Sequence, residues 1–164
     1  MQIRLSILAL CAGSLFLGIW HGEDLCDPFV VVLDLGGGAI WLAALLLVAW
    51  RKPAFRKQAI ACAIVVPAVM AVGLFVGDRV GRRAWNECVL EGELVRTALS
   101  EFYRETGGYP EELPSLGLRR IPGGRFLRGG ILDYDSTGEG YSLRYGDWLV
   151  SFVATESTPF TGFK

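Results

Sequence analysis

The residues of this chain able to do chemistry are few and far apart. One histidine, His21, is followed by Glu23, Asp24 and Asp27. An imidazole with carboxylates close behind is a conceivable metal set, but acidic links of this kind are common outside metal sites. The same histidine would have to serve as the base of any hydrolytic triad, and no nucleophile motif accompanies it. The four cysteines, Cys11, Cys26, Cys62 and Cys88, are spaced too widely for zinc-binding pairs. No phosphate-cradling glycine loop is present. The residues therefore assign no catalytic group, metal or cofactor, and a membrane enzyme is the least favoured reading. Asp34 lies near one end of an apolar stretch. There it is either an intramembrane functional acid or a simple cap at the interface.

Composition points to the elements that must hold these residues. The chain is 52% hydrophobic with a mean hydropathy of +0.39, too apolar for an ordinary soluble domain, and the excess sits in the first half. Three apolar stretches stand out, at about 5–20, 29–50 and 59–77. A helix needs ~20 apolar residues to cross a bilayer, so the second and third qualify outright. The first is slightly short and ends in Trp20, an interface residue. It reads as a retained span, with a cleaved signal as the alternative, since Arg4 precedes it and no small-x-small cleavage site follows. The expectation is a membrane domain over 1–77 with three transmembrane helices.

The two links differ in charge. The first, 21–28, has no lysine or arginine; the second holds Arg51, Lys52, Arg56 and Lys57. The positive-inside rule then places the N-terminus in the cytoplasm and everything after Gly77 outside, although Arg79, Arg82 and Arg83 follow the third stretch. The chain reads as a multi-pass protein of a bacterial inner membrane with a periplasmic domain over 78–155 and a loose tail over 156–164. This orientation puts Cys26 and Cys88 where disulfides persist. They form a candidate bridge; the alternative is a buried Cys88 and a free Cys26. Cys11 and Cys62 fall inside spans as packing residues.

Gly73, Gly77 and Gly81 recur every fourth residue and share one helix face. Such a face admits a close helix neighbour, either within the chain or in a second copy, giving a homo-oligomer through the third span. Gly36, Gly37 and Gly38 read as close packing or a local break in the second. From Asp78 on, 11 basic and 13 acidic residues make an ordinary soluble surface with nothing to attract nucleic acid.

The second half changes period. Val80, Ala84, Cys88, Val95, Leu99 and Phe102 recur at helical spacing over 78–105, and this helix can continue the third span. After a proline-rich loop, 130–134 reads as a strand. Tyr141, Leu143 and Tyr145 alternate with polar residues, Gly146 and Asp147 suit a two-residue turn, and 148–154 reads as the returning strand. The expected fold class is an α+β membrane protein: the third transmembrane helix continues into a long amphipathic helix packed on a small antiparallel sheet.

Between 94 and 145 the residues resemble the soluble part of type IV pilins and type II secretion pseudopilins. The resemblance rests on Leu94, Ala98, Leu99, Phe102, Tyr103 and Arg104, then Gly107, Gly108, Tyr109 and Pro110, then Leu113 and Leu116, and later Gly130, Ile131, Tyr134, Gly138, Gly140, Tyr141 and Leu143. It implies that a helix stops at Gly107 or Gly108, that Tyr109 folds back on it, and that a pilin-like sheet follows. No prepilin-peptidase site precedes the third stretch, and two further spans come before it. Extraction from the membrane and polymerisation are therefore not expected to carry over. The function expected is non-enzymatic. The chain would hold a pilin-like domain at the lipid bilayer for a periplasmic or membrane protein partner, in a secretion or envelope assembly. An anchored immunity protein against a periplasm-acting toxin is the alternative.

Overall fold

The computed structural model describes residues 2–24, 28–137, 139–147 and 149–163. It divides into two compact units, Met1–Arg79 and Val80–Lys164.

The first unit is helical. Helix α1 spans Gln2–Gly22 and α2 spans Pro28–Arg51. Proline at the first position of α2 suits a helix start, because its missing N–H would have no intrahelical partner there. Pro53 ends α2 by forcing Lys52 out of the helical region, to φ −131° and ψ 85°. A 3-10 turn, Pro53–Phe55, leads into α3, Arg56–Thr106. This one helix runs through the boundary between the units and accommodates Pro67. The third apolar stretch thus continues into the amphipathic helix without a break.

Of the three spans expected, the described residues contain one helix long and apolar enough to cross a membrane, Pro53–Thr106. Within the described residues the apolar runs of the other two helices cover Ile7–Gly22 and Gly36–Arg51. Apolar side chains in this unit point outward: Trp50 is 80% exposed and Ile40 73%, with Leu8, Leu46 and Ile64 similarly bare. The glycine triplet in α2 is a second correction. Helix α2 is unbroken across it, and a Cβ at Gly36, Gly37 or Gly38 would meet nothing within 4 Å. These glycines are not packed against the described residues.

The second unit joins the latter part of α3 to a four-stranded antiparallel meander in the order β1-β2-β3-β4. The strands are β1 Asp133–Ser136, β2 Tyr141–Gly146, β3 Ser151–Thr155 and β4 Thr161–Phe163. Tyr134 pairs with Leu143, and Leu143 with Ala154. Strand alternation drives the packing: Tyr141, Leu143 and Tyr145 are buried while Arg144 is exposed. Val95 and Leu99 of α3 meet Tyr141, Leu143, Ala154 and Leu113 in the core.

Three expectations shift here. Gly130 lies outside β1 and pairs instead with Gly124 in an isolated bridge. The β2–β3 connection is four residues long, 147–150, because the Asp147 carboxylate accepts from the N–H groups of Leu149 and Val150, each at 2.7 Å. That side chain stabilises a wider loop than the two-residue turn; Trp148 lies outside the described residues. The segment after Thr155 is ordered into the sheet rather than loose. Phe160 packs on Tyr145 at 5.1 Å and against the backbone of Gly92, and its N–H donates to Glu93 at 3.3 Å. These contacts deliver β4 to the free edge of β3.

Candidate interaction surface

The glycines singled out from spacing are placed by backbone contact. In the first unit, Gly73 and Gly77 of α3 lie against Gly18 and Gly22 of α1. A Cβ on Gly73 would stand 2.7 Å from the Leu15 carbonyl oxygen, and one on Gly18 would stand 2.5 Å from that of Met70. Gly22 and Gly77 meet the carbonyls of Leu74 and Ile19 more closely still. The faces interlock within one chain, so these glycines pack against α1. Gly81 is buried.

Gly107, Gly108, Tyr109 and Pro110 form a clasp at the end of α3. Gly107 takes φ +79°, open mainly to glycine, and its N–H donates to the Tyr103 carbonyl at 2.8 Å. The Thr106 hydroxyl lies 2.8 Å from the Phe102 carbonyl and 2.9 Å from that of Gly108. Tyr109 folds back and stacks on Tyr103 at 4.7 Å, with its ring 4.9 Å from Tyr141. The Tyr134 hydroxyl donates to the Pro110 carbonyl at 2.7 Å, tying the clasp to β1. Burial raises the phenol pKa values of Tyr109, Tyr134, Tyr141 and Tyr145. These hydroxyls therefore stay neutral and structural at ordinary pH.

Cys88 is 1% exposed, and its Sγ lies over Gly123, where a Cβ would come within 2.5 Å of it. Burial, aided by Glu87 and Glu91, pushes the thiol up to about 12. It is protonated at neutral pH and a poor nucleophile. The bridge proposed to Cys26 lies outside the described residues, as do Asp27 and the side chain of Asp34. Cys11 and Cys62 are half-buried free thiols in the first unit. Among the described residues no three His, Cys, Asp or Glu side chains gather into a metal-binding group. Asp135, Thr137, Tyr141, Ser142, Thr155 and Glu156 line a cleft of about 300 Å³ at one end of the sheet. It offers carboxylates and hydroxyls, while the chain's one histidine lies in the other unit.

The second unit also exposes large apolar side chains. On α3, Leu90 is 78% exposed and Leu94 64%, one turn apart on the side opposite Cys88, Val95 and Leu99. β1 is an edge strand of the sheet. A loop over 119–131 carries Phe126, which is 76% exposed. This loop is tightly held. Glu87 accepts from Arg120 at 2.9 Å and from the Gly123 N–H at 3.3 Å. Arg125 donates through its backbone to Gly129 at 2.8 Å and through its guanidinium to the carbonyls of Arg128, Gly129 and Gly130. Gly123 and Gly129 take φ +84° and +74° at its ends. Sequence reasoning singled out the long helix and Leu94 on it, but neither Leu90 nor the Phe126 loop. The signals were present: Leu90 and Leu94 at helical spacing off the core stripe, and a Phe-Leu pair flanked by arginines and glycine pairs. Compared with known proteins, the chain matches no family model, no curated protein and no solved structure.

Proposed function

We propose that the chain is a non-enzymatic, multi-pass protein of the bacterial inner membrane, with its N-terminus in the cytoplasm and its second unit in the periplasm. In this reading α1 and α2 also lie in the membrane, completing three spans. The second unit is a pilin-like domain that binds a periplasmic or membrane protein of a secretion or envelope assembly. The observation that carries the reading is α3 itself. One unbroken helix begins as an apolar segment with its side chains mostly exposed and ends as the packed helix of a small sheet domain. Bare apolar surface on that scale is stable in lipid and a liability in water. The basic residues Arg51, Lys52, Arg56 and Lys57 are all exposed beside the start of α3, which suits a cytoplasmic link.

Reporter fusions test the orientation. Alkaline phosphatase joined at Gly146 should be active and a green fluorescent protein joined there dark; the reverse pattern sinks it. A photo-crosslinking residue at Leu90 tests the binding role. The expected product is one discrete protein adduct in intact cells. Only uncrosslinked chain across the outer face of α3 and the edge of β1 counts against an interaction module.

A further inference from the structure

The two ends of the sheet carry opposite chemistry. Strand β2 runs antiparallel to α3. Tyr141 packs on Tyr109, past the end of the helix; Leu143 packs with Val95 and Leu99; Tyr145 stands 5.5 Å from Trp85. Phe152, the partner of Tyr145 on β3, also meets Trp85, at 5.7 Å. The β2–β3 turn therefore projects past Trp85 toward Val80, where the second unit's part of α3 begins. From Val80 to Trp85 the helix rises ~7.5 Å. From Tyr145 to the tip of the turn the chain covers roughly 7 Å or more at strand rise. Leu149 thus comes level with the first helical turn after the stretch 59–77, which holds no charged residue. At this end the turn reads Asp147, Trp148, Leu149, Val150, mostly apolar, and Leu149 is 58% exposed. At the far end the β1–β2 turn reads Thr137, Gly138, Glu139, Gly140, and the β3–β4 connection begins Glu156, Ser157, Thr158. Turns that face water are polar, as the far ones are. The near turn also satisfies its own backbone. The N–H groups of Leu149 and Val150 donate to the Asp147 carboxylate, and the Asp147 N–H donates to the Val150 carbonyl at 3.0 Å. It can meet a surface poorer in water without leaving those amides unpaired.

We propose that the β2–β3 turn is a second foot on the phospholipid bilayer, with the Leu149 side chain entering the boundary between headgroups and acyl chains beside α3. Apolar side chains on a backbone that meets its own hydrogen bonds suit that boundary. The composition of the turn agrees, since tryptophan is enriched at the same depth. One short turn binds lipid weakly by itself. Here α3 holds it at the right height, so contact costs little further ordering. The turn then biases the tilt of α3, because tilting toward the sheet brings Leu149 into lipid. A protein partner would cover one leucine equally well. It would not require the apolar turn to be the one facing the end of the apolar stretch, with the polar turns at the other end. The inference rests on the membrane reading of α3.

The full chain is reconstituted in phosphatidylcholine nanodiscs with a photo-crosslinking residue at 149, at 139 or at 65. Val65, 43% exposed within the apolar stretch, reports the membrane reading alone. Glu139 is exposed in the far turn. The expected result is phospholipid adduct at 65 and at 149, and none at 139. Amide exchange gives a second readout. Leu149→Ser should quicken exchange over 147–150 by about tenfold, the scale of half-burying one leucine. Leu149→Met should keep the slower rate, and the amides of β2 and β3 should keep their protection in both. Adduct at 65 without adduct at 149, or exchange indifferent to Leu149→Ser, overturns this proposal and leaves the membrane reading standing. Polypeptide adduct in place of lipid at 149 in intact cells also overturns it, in favour of a protein partner. No lipid adduct at 65 defeats the membrane reading itself and this inference with it.

Discussion

The two units use the same helix and opposite rules. In the first, apolar side chains face outward and glycine is the contact residue, so backbones meet where Gly18 and Gly22 face Gly73 and Gly77. In the second, apolar side chains face inward, and Val95 and Leu99 are covered by Tyr141, Leu143 and Ala154. On the proposed membrane reading, the difference follows from what each solvent supplies. Where lipid is as apolar as leucine, helices gain little by hiding side chains, and close van der Waals contact decides the pairing. Where the surroundings are water, burial of apolar area drives the fold. Damage to either unit should therefore leave the other's means of support intact.

The largest expected effect is on the inward-facing core. Leu143→Ala empties a fully buried site and should cost the second unit about 2–5 kcal/mol, read by denaturant unfolding of the purified chain. Membrane flotation of the same variant should be unchanged, and a drop in flotation would break the comparison. Next is a change seen only in alkali. The folded thiol of Cys88 sits at about 12 and the unfolded one near 9.0. Below the unfolded value both states hold the proton, so the contribution is fully present. Between the two values the folded state binds more protons, and stability falls as pH rises, by about 1.4 kcal/mol per pH unit from this group. The buried tyrosines add to the decline at the upper end of the range. Cys88→Ala should flatten the profile between those values, and an unchanged slope would refute the assignment.

A smaller loss is expected in the glycine interlock. Gly77→Val drives a branched side chain into the Ile19 carbonyl, a clash of about 1–3 kcal/mol. Amide exchange in nanodiscs should quicken over α1 and stay the same over the sheet. Gly36→Val sharpens the contrast, because a Cβ there meets open space and exchange over α1 should not change. The smallest is Tyr134→Phe, which removes the bond to the Pro110 carbonyl and should cost about 1 kcal/mol in unfolding of the second unit.

Much of the second unit could be read from residue order alone. The helical recurrence through Cys88, Val95 and Leu99 marks the buried face, Gly107 stops the helix, and Tyr141, Leu143 and Tyr145 announce β2 by alternation. Those signals are local, and local physics decides them. Strand β4 escaped because Thr161, Gly162 and Phe163 carry little strand pattern of their own; Phe160 on Gly92 orders them from 68 residues away. The turn after β2 was misjudged because Gly146 suggested a tight reversal, while the Asp147 side chain selects a wider one. Glycine spacing could not tell a used face from an idle one. Gly73 and Gly77 meet a neighbour and Gly36 does not, although all three sit in apolar helices. The surface candidates were hidden for a different reason: Leu90 and Phe126 matter through exposure, a property no residue type reveals.

The contact between Phe160 and Gly92 also makes the last strand a seal. Without it, Gly92 on α3 and Tyr145 on β2 lose a shared cover, and β3 keeps an unpaired edge that invites pairing with another chain. Three residues of little strand character of their own thus guard the domain against self-association.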